Sequence, residues 1–292
     1  MLEGMPQVDG VTHRFVEVRA EDGPLSVHVA EVGEGPPLLL LHGWPQHWWC
    51  WRLVLPRLAE RHRVLMPDLR GFGWTQAPGR GYDARTFASD QIALLDALEL
   101  ERAGVLGHDW GGFAAFLLGI GHPDRVKRVM VCNAPHPWPP VSAKTIATMW
   151  HTWYVAVLAA PELGERALRS GRMLPWVLRR GDREAVFSDA DAAVYEQRLL
   201  EPERAHATAL LYRSYLTSAA DVLTGRRFRD ARLTVPALLL FGVEDRFVPV
   251  AWLDGHESHT DDMRVELVPD CGHFTPEERS DLVADRALEF FG

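Results

Sequence analysis

The sequence predicts an α/β protein in which a mostly parallel sheet is covered by helices on both faces and interrupted by one inserted helical unit. Short, continuously apolar runs, typical of strands buried on both faces, alternate with longer segments in which apolar residues recur at helical spacing. Between residues 135 and 229 only helical patterns occur, and the alternation then resumes. A chain of 292 residues is long enough to bury the core of such a domain.

Apolar runs and turn residues predict eight strands. The first two runs alternate between apolar and polar residues and flank a Glu-Asp-Gly-Pro turn at residues 21–24, so they are predicted to form a hairpin. Three of the others, residues 37–41, 103–106 and 235–241, are short and continuously apolar. The predicted strands are residues 13–19, 25–32, 37–41, 63–66, 103–106, 126–131, 235–241 and 264–268.

Helical spacing of apolar residues predicts the connections between the strands. Outside the insertion, helices are predicted near residues 48–60, 86–98, 113–122, 250–257 and 276–290. From the change of pattern we predict that residues 1–136 and 229–292 form the α/β core. Residues 137–228 are predicted to form a helical cap over the carboxyl edge of its sheet, where open α/β sheets place their sites.

Charge and cysteine content argue against several classes of function. The formal net charge of −9 and the pI near 5.8 disfavour nucleic acid or an anionic membrane surface as the main partner. Cys50, Cys132 and Cys271 form an odd, widely spaced set, as expected of reduced thiols rather than of disulfides or a metal site. The N-terminal residues lack the pattern of a secretory leader, and no apolar run approaches the roughly 20 residues that span a bilayer. We therefore expect a cytoplasmic protein without a membrane span.

Residues 107–112, Gly-His-Asp-Trp-Gly-Gly, end a predicted strand and begin a predicted helix. Such a sharp turn holds one side chain in a strained backbone conformation, and glycines two positions before and after it remove β-carbons that would collide. The side chain presented in this way is Asp109, so the nucleophile would be a carboxylate and the covalent intermediate an alkyl ester. Taken alone, the pattern is more typical of a glycine-rich turn whose aspartate caps the next helix.

Two further polar residues follow later strands, and they change that interpretation. Asp245 comes shortly after the predicted strand 235–241, and His273 comes after the strand 264–268. Because the carboxyl ends of parallel strands meet at one edge of a sheet, Asp109, Asp245 and His273 are predicted to lie together. A histidine held by a buried carboxylate can take a proton from water and direct hydroxide at an ester carbonyl.

Together these segments resemble the α/β-hydrolases with an aspartate nucleophile, and among them most closely the soluble epoxide hydrolases. The order nucleophile, acid, base is the one expected of that fold. Residues 42–45, His-Gly-Trp-Pro, resemble the oxyanion-hole segment of the family, residues 68–73 its loop after the fourth strand, and residues 107–112 its nucleophile elbow. The resemblance implies that the backbone N–H groups of Trp44 and Trp110 stabilise the oxyanion of the ester intermediate.

The resemblance also bears on two choices of residue in this sequence. Glu244 competes with Asp245 for the role of the acid, but it stands one residue too early for the family's position. Epoxide hydrolases of this family use two cap tyrosines to donate hydrogen bonds to the epoxide oxygen. Tyr154, seven residues before a proline, matches the first segment, and Tyr212 matches the second, with Tyr215 as its rival. Each tyrosine taken singly is also typical of an ordinary side chain between cap and core.

The resemblance implies an epoxide hydrolase that needs no cofactor and no metal. Its partners would be water and a small, apolar epoxide. The 11 tryptophans, many of them within residues 44–51 and 138–176, indicate an aromatic-walled cavity, so aromatic epoxides are included. The oligomeric state stays open.

Three other functions compete with this one. A haloalkane dehalogenase shares the elbow, and Trp110 could serve it, but such an enzyme commonly has Asn where Trp44 stands. A haloacetate dehalogenase would have arginines beside the nucleophile, whereas Trp110 and Phe113 occupy those positions. A non-catalytic ligand receptor on a hydrolase scaffold belongs to a different class, and it would not need an intact nucleophile, acid and base.

Overall fold

The computed structural model describes residues 4–140, 142–223 and 228–292, and its centre is one sheet of eight strands. The order across the sheet is β1-β2-β4-β3-β5-β6-β7-β8. Within this sheet β2 runs antiparallel to both neighbours, and the strands from β4 to β8 are mutually parallel. The strands are β1 (Thr12–Ala20), β2 (Gly23–Val32), β3 (Pro37–Leu41), β4 (Arg63–Pro67), β5 (Ala103–His108), β6 (Val126–Cys132), β7 (Ala237–Gly242) and β8 (Met263–Val268). The predicted eight-stranded, mostly parallel α/β sheet is thereby confirmed.

The register of the central strands brings their carboxyl ends level with one another. Leu41 of β3 lies opposite Gly107 of β5, while Cys132 of β6 lies opposite His108 on one side and Leu240 of β7 on the other. Strands β5 and β7 are buried along their whole length, which agrees with their continuous apolar sequences. The loops that follow β3, β5, β6 and β7 therefore open on the same edge of the sheet.

The described helices pack on both faces of the sheet and fill the interval between β6 and β7. They are α1 (Leu55–Leu58), α2 (Ala84–Ala97), α3 (Asp109–Gly121), α4 (Ala143–Thr148), α5 (Trp153–Ala159), α6 (Leu163–Arg169), α7 (Met173–Gly181), α8 (Asp189–Leu199), α9 (Pro202–Leu223), α10 (Thr275–Glu278) and α11 (Ser280–Phe291). None of them is long and apolar enough to cross a bilayer.

Helices α4 to α9 all lie between β6 and β7 in the chain, within the predicted insertion. Side-chain caps begin two of them: Ser142 and Ser188 each form a capping box with the residue three positions later. The division into a core of residues 1–136 and 229–292 and a cap of residues 137–228 stays a prediction. Residues 141 and 224–227 of that cap lie outside the described residues.

The continuous helix predicted near residues 48–60 is wrong. The chain instead makes a 3₁₀ turn at Trp48–Trp51 and then the short helix α1. Pro56 explains the break, because proline has no backbone N–H and its ring collides with the carbonyl group four residues earlier in a continuing helix. Pro56 therefore occupies the first turn of α1, where that N–H is not needed.

Two other predicted helices are also interrupted. Near residues 250–257 there is only a 3₁₀ turn at Val250–Trp252, and Gly255 adopts a φ of 94°, which no right-handed helix contains. The closing helix is divided into α10 and α11 at Arg279, whose φ of −135° and ψ of 46° are not helical. Glu278 accepts hydrogen bonds from the backbone N–H groups of Gly272 and Phe274, which fastens α10 to the preceding loop while α11 contacts β6.

Candidate active site

The turn between β5 and α3 places Asp109 in a left-handed backbone conformation with a φ of 50°. A non-glycine residue in this region costs roughly 1–3 kcal/mol, so the surrounding packing must hold it there. A β-carbon on Gly107 would lie 2.4 Å from the carbonyl oxygen of Gly111, and one on Gly111 would lie 2.2 Å from the carbonyl oxygen of Leu41. Both glycines are therefore required by close approach, as the sequence pattern predicts.

The structure brings Asp109, Asp245 and His273 together at the carboxyl edge of the sheet. His273 Nδ1 lies 2.8 Å from Asp245 Oδ2, and His273 Nε2 lies 4.0 Å from Asp109 Oδ1. Glu244, the rival acid, instead pairs with Arg183 at the surface. The buried carboxylate that faces the histidine is thus the one that the sequence favours.

The backbone of the loop after β3 also reaches Asp109. The N–H of Trp44 donates to Asp109 Oδ2 at 2.9 Å, and the N–H of Trp110 is a second backbone group that stabilises the ionised carboxylate. A β-carbon on Gly43 would lie 2.4 Å from the Asp109 β-carbon, so only glycine lets this loop come so close. Two N–H groups therefore converge on the oxygen atoms of one side chain.

Burial and nearby charges shift the pKa values of Asp109 and His273 away from their ordinary values. Burial is the main effect on Asp109 and raises its pKa to about 6, against the opposing charge of His273 and the two backbone N–H groups. Burial by itself lowers the pKa of His273. The Asp245 and Asp109 carboxylates outweigh burial and raise the pKa of His273 to about 9.

Tyr154 and Tyr212 are buried side chains of α5 and α9, and their ring centroids lie 6.0 Å apart. Burial above all raises the pKa of both hydroxyls well above the ordinary range; the next causes are Asp109 for Tyr154, and Tyr154 followed by Asp109 for Tyr212. Tyr215 lies one turn further along α9, and burial raises its pKa to about 12. Tyr212 and Tyr215 both pack edge-on against Trp110, so the choice of Tyr212 over Tyr215 stays a prediction.

One cavity of about 220 Å³ connects these groups. Asp109, Tyr154, Tyr212 and Tyr215 all line it, between the sheet edge and helices α4, α5 and α9. Its other aromatic walls are Trp110, Phe113, Phe228, Phe247 and Trp252. Such a surface binds apolar ligands and leaves few polar groups to orient them. Among the described residues no cluster of three histidine, cysteine or carboxylate side chains could hold a metal ion.

Asn133 belongs to the same site, although the sequence pattern did not single it out. It follows β6 directly, it is fully buried, and its Nδ2 donates to Asp245 Oδ2 at 2.8 Å. The signal that could have found it is position, since a polar residue at the end of a central parallel strand lies at the same sheet edge as Asp109.

Comparison with known proteins shows the family to which the chain belongs. Residues 36–280 match the family model of the α/β hydrolase fold. The soluble epoxide hydrolase of Corynebacterium sp. (strain C12) is 33% identical over 280 residues, covering 91% of this chain and 93% of that protein. The solved epoxide hydrolase CorEH superposes with a TM-score of 0.81 at 29% identity, over 96% of this chain and 98% of that one. Wild-type Cfl2 from Burkholderia cenocepacia gives 0.84 at 28% identity, over 98% of both chains.

The chain therefore belongs to the α/β-hydrolase fold family. It is a hydrolase, and within the family it stands close to the epoxide hydrolases.

Proposed function

We propose that the protein is an epoxide hydrolase that converts a small, apolar epoxide, aromatic ones included, to a vicinal diol. The observation that carries the proposal is the meeting of Asp109 with Tyr154 and Tyr212 in one apolar cavity. A carboxylate can open an epoxide, but the oxygen that leaves its carbon is a strongly basic alkoxide, so the site needs proton donors opposite the nucleophile. The relatives named as epoxide hydrolases support the same choice.

In the first step the Asp109 carboxylate attacks one epoxide carbon. The ring C–O bond breaks, an ester forms, and the alkoxide takes a proton from a tyrosine hydroxyl. Because burial keeps the pKa of Tyr154 and Tyr212 well above the ordinary range, both hydroxyls hold their protons at neutral pH and are able to donate them. The apolar walls exclude bulk water, which strengthens these hydrogen bonds.

In the second step His273 takes a proton from water, and the resulting hydroxide attacks the ester carbonyl of Asp109. The N–H groups of Trp44 and Trp110 stabilise the oxyanion that develops on the carbonyl oxygen. Collapse of this intermediate passes its hydroxyl proton to the departing alkoxide, which releases the diol and restores the carboxylate. The proton that His273 took from water then returns the tyrosinate to its neutral form. Asp245 stabilises the His273 imidazolium while this happens.

The competing activities fit the site less well. A haloalkane dehalogenase needs N–H donors free to bind halide, but the indole N–H of Trp44 donates to Thr208 Oγ1 at 3.2 Å. A non-catalytic receptor would not require the His273–Asp245 pair to face Asp109.

A parallel assay of styrene oxide, an alkyl epoxide and a bromoalkane tests the proposal. We expect the purified protein to release diol from at least one epoxide and to release no bromide at a comparable rate. Release of bromide without any diol would replace the proposal with the dehalogenase activity.

A further inference from the structure

Asn133 makes four hydrogen bonds that join the separate loops of the site. Its Nδ2 donates to Asp245 Oδ2 at 2.8 Å and to the carbonyl oxygen of Gly272 at 3.1 Å. Its Oδ1 accepts from the N–H of Gly242 at 3.1 Å and from the hydroxyl of Thr275. The amide therefore contacts the end of β7, the acid, the residue before the base and the start of α10.

The backbone at Asn133 is strained, with a φ of 44°. Asparagine is one of the few residues besides glycine that adopt this conformation readily. Glycine would relieve the strain but would remove the hydrogen bonds that the Asn133 side chain makes with Asp245 and Gly242. Asn133 is strained and fully buried, and each polar atom of its amide has a hydrogen-bond partner. This indicates that the hydrogen bonds of the amide hold the side chain in place.

The two oxygen atoms of Asp245 receive different donors. Oδ1 accepts from the backbone N–H groups of Phe247 and Val248 at 2.7 and 3.0 Å. Oδ2 is shared between His273 Nδ1 and Asn133 Nδ2, both at 2.8 Å. Asn133 is therefore the side chain, apart from the base itself, that fixes the position of the oxygen atom which receives the His273 N–H.

We propose that Asn133 is a positioning residue for ester hydrolysis, which holds the Asp245 carboxylate where it can orient His273 and stabilise the imidazolium. This inference rests on the proposed function, because it concerns the second step of that reaction. Asn133 does not line the cavity, and its amide contacts the acid and the loop of the base. The effect of Asn133 should be confined to His273, the base.

Four titratable groups face His273 from the elements around it. Asp245 and Asp109 are the nearest carboxylates, and Glu278 of α10 adds a further negative charge. The His108 ring at the end of β5 has its centroid 5.0 Å away, but burial above all lowers its pKa to about 3, so it stays neutral. A carboxyl group at position 133 would share a proton with Asp245 and so weaken the negative charge that faces His273.

The substitution Asn133→Asp replaces the amide that donates to Asp245 with a carboxyl group, while the other oxygen still accepts from Gly242 and Thr275. We expect the pKa of His273 to fall, because two adjoining buried carboxyl groups share one proton and Asp245 then presents less negative charge to the imidazolium. Nitrogen-15 NMR titration of the imidazole, without substrate, measures this shift directly. The pH midpoint of ester hydrolysis should move downward equally, while the rate of ester formation stays within about twofold of wild type.

Thr275→Val is the matched control, because it removes the hydroxyl that binds the opposite side of the Asn133 amide and leaves the bond to Asp245. We expect an unchanged His273 midpoint in this variant. Equal shifts in both variants, or no shift in Asn133→Asp, would reduce Asn133 to a structural residue and overturn the inference. A wild-type protein that opens no epoxide would remove the proposed function, while the NMR arm would still test the contact with the base.

Asn133→Gly keeps the inference testable if Asn133→Asp does not fold, because glycine tolerates the observed φ. It should slow ester hydrolysis by roughly 10–100-fold, as loss of a supporting hydrogen bond does at other sites, and leave ester formation unchanged. Slowing of both steps to the same extent would contradict the assignment.

Discussion

In the proposed reaction, alkylation of Asp109 would remove one of the carboxylate charges that raise the pKa of His273. In the free protein these charges raise that pKa to about 9, against the opposing effect of burial. With Asp109 neutral in the ester, the pKa of His273 would be lower, so the ring would give up the proton that it takes from water more readily than in the free protein.

The first prediction concerns these two residues. His273→Gln should accumulate a stoichiometric ester, because Asp109 still attacks but no base activates water. Intact-mass spectrometry after exposure to an epoxide should show protein plus one substrate, whereas Asp109→Ala should show unmodified protein. An adduct on Asp109→Ala would contradict the role of Asp109 as nucleophile. Turnover by His273→Gln at the wild-type rate would contradict the role of His273 as base.

A second prediction follows from the raised pKa of Asp109. The carboxylate is the nucleophile, so ester formation should be fully active above this pKa and should be lost as the pH falls through about 6. Below pH 6 we expect the rate to decrease by about tenfold per pH unit, because the ionised fraction decreases in that proportion. Rapid-quench measurement of the first turnover isolates this step, and a rate that stays constant between pH 5 and 8 would refute the assignment.

At the scale of elements, the nucleophile turn depends on the contact between α3 and β3. We predict that Gly111→Ala destabilises the protein by about 1–3 kcal/mol and suppresses ester formation, because its β-carbon would lie 2.2 Å from the carbonyl oxygen of Leu41. Gly121→Ala in the last turn of α3 is the matched control, since nothing lies within 4 Å of its β-carbon. Urea unfolding and first-turnover kinetics should separate the two variants.

The elements that the sequence predicts well are those with a single strong cause. Continuous apolar runs identify β3, β5 and β7, because such sequences are stable only when both faces are covered. The helix near residues 48–60 fails because apolar periodicity continues across Pro56, and the missing N–H outweighs the periodicity. The division of the closing helix at Arg279 accompanies tertiary hydrogen bonds of Glu278, which leave no periodic signal in the sequence.

Site residues also differ in whether their role has a local cause that the sequence shows. Asp109 can be proposed from sequence because the glycines around it report a local steric requirement. Asn133 has only the signal of its position after β6, because the partners that give it a role, Asp245 and Thr275, are 112 and 142 residues away in the chain. Its contribution exists only once the loops after β6, β7 and β8 have met.

At the scale of the whole molecule, the sheet provides the nucleophile and base, while the inserted helices provide the aromatic roof. Tyr154 and Tyr212 come from α5 and α9, which pack against each other, and Tyr212 also packs edge-on against Trp44 and Trp110 at 5.2 and 6.0 Å. Both tyrosines are thus held over Asp109 by contacts with both parts of the molecule. In the proposed reaction, ester formation would depend on that placement, whereas ester hydrolysis would depend on the residues at the sheet edge.

The last prediction tests this division. Tyr154→Phe or Tyr212→Phe should slow ester formation from styrene oxide by roughly 10²–10⁴-fold, and the double variant should nearly abolish it, because the alkoxide then lacks a proton donor. Tyr215→Phe should have a much smaller effect, which separates Tyr212 from its rival. Ester hydrolysis, followed from enzyme trapped as the ester, should remain close to wild type in each variant.

Tyr195→Phe supplies the matched control for loss of a buried hydroxyl in the inserted helices. Its hydroxyl donates to Glu277 at 3.1 Å and does not line the cavity, so the variant should lose about 0.5–1.5 kcal/mol of stability and keep its rate of ester formation. Circular dichroism checks that all variants are folded. If the double variant opened styrene oxide as fast as wild type, the tyrosines would have no part in the reaction, and the site would have to protonate the leaving oxygen without them.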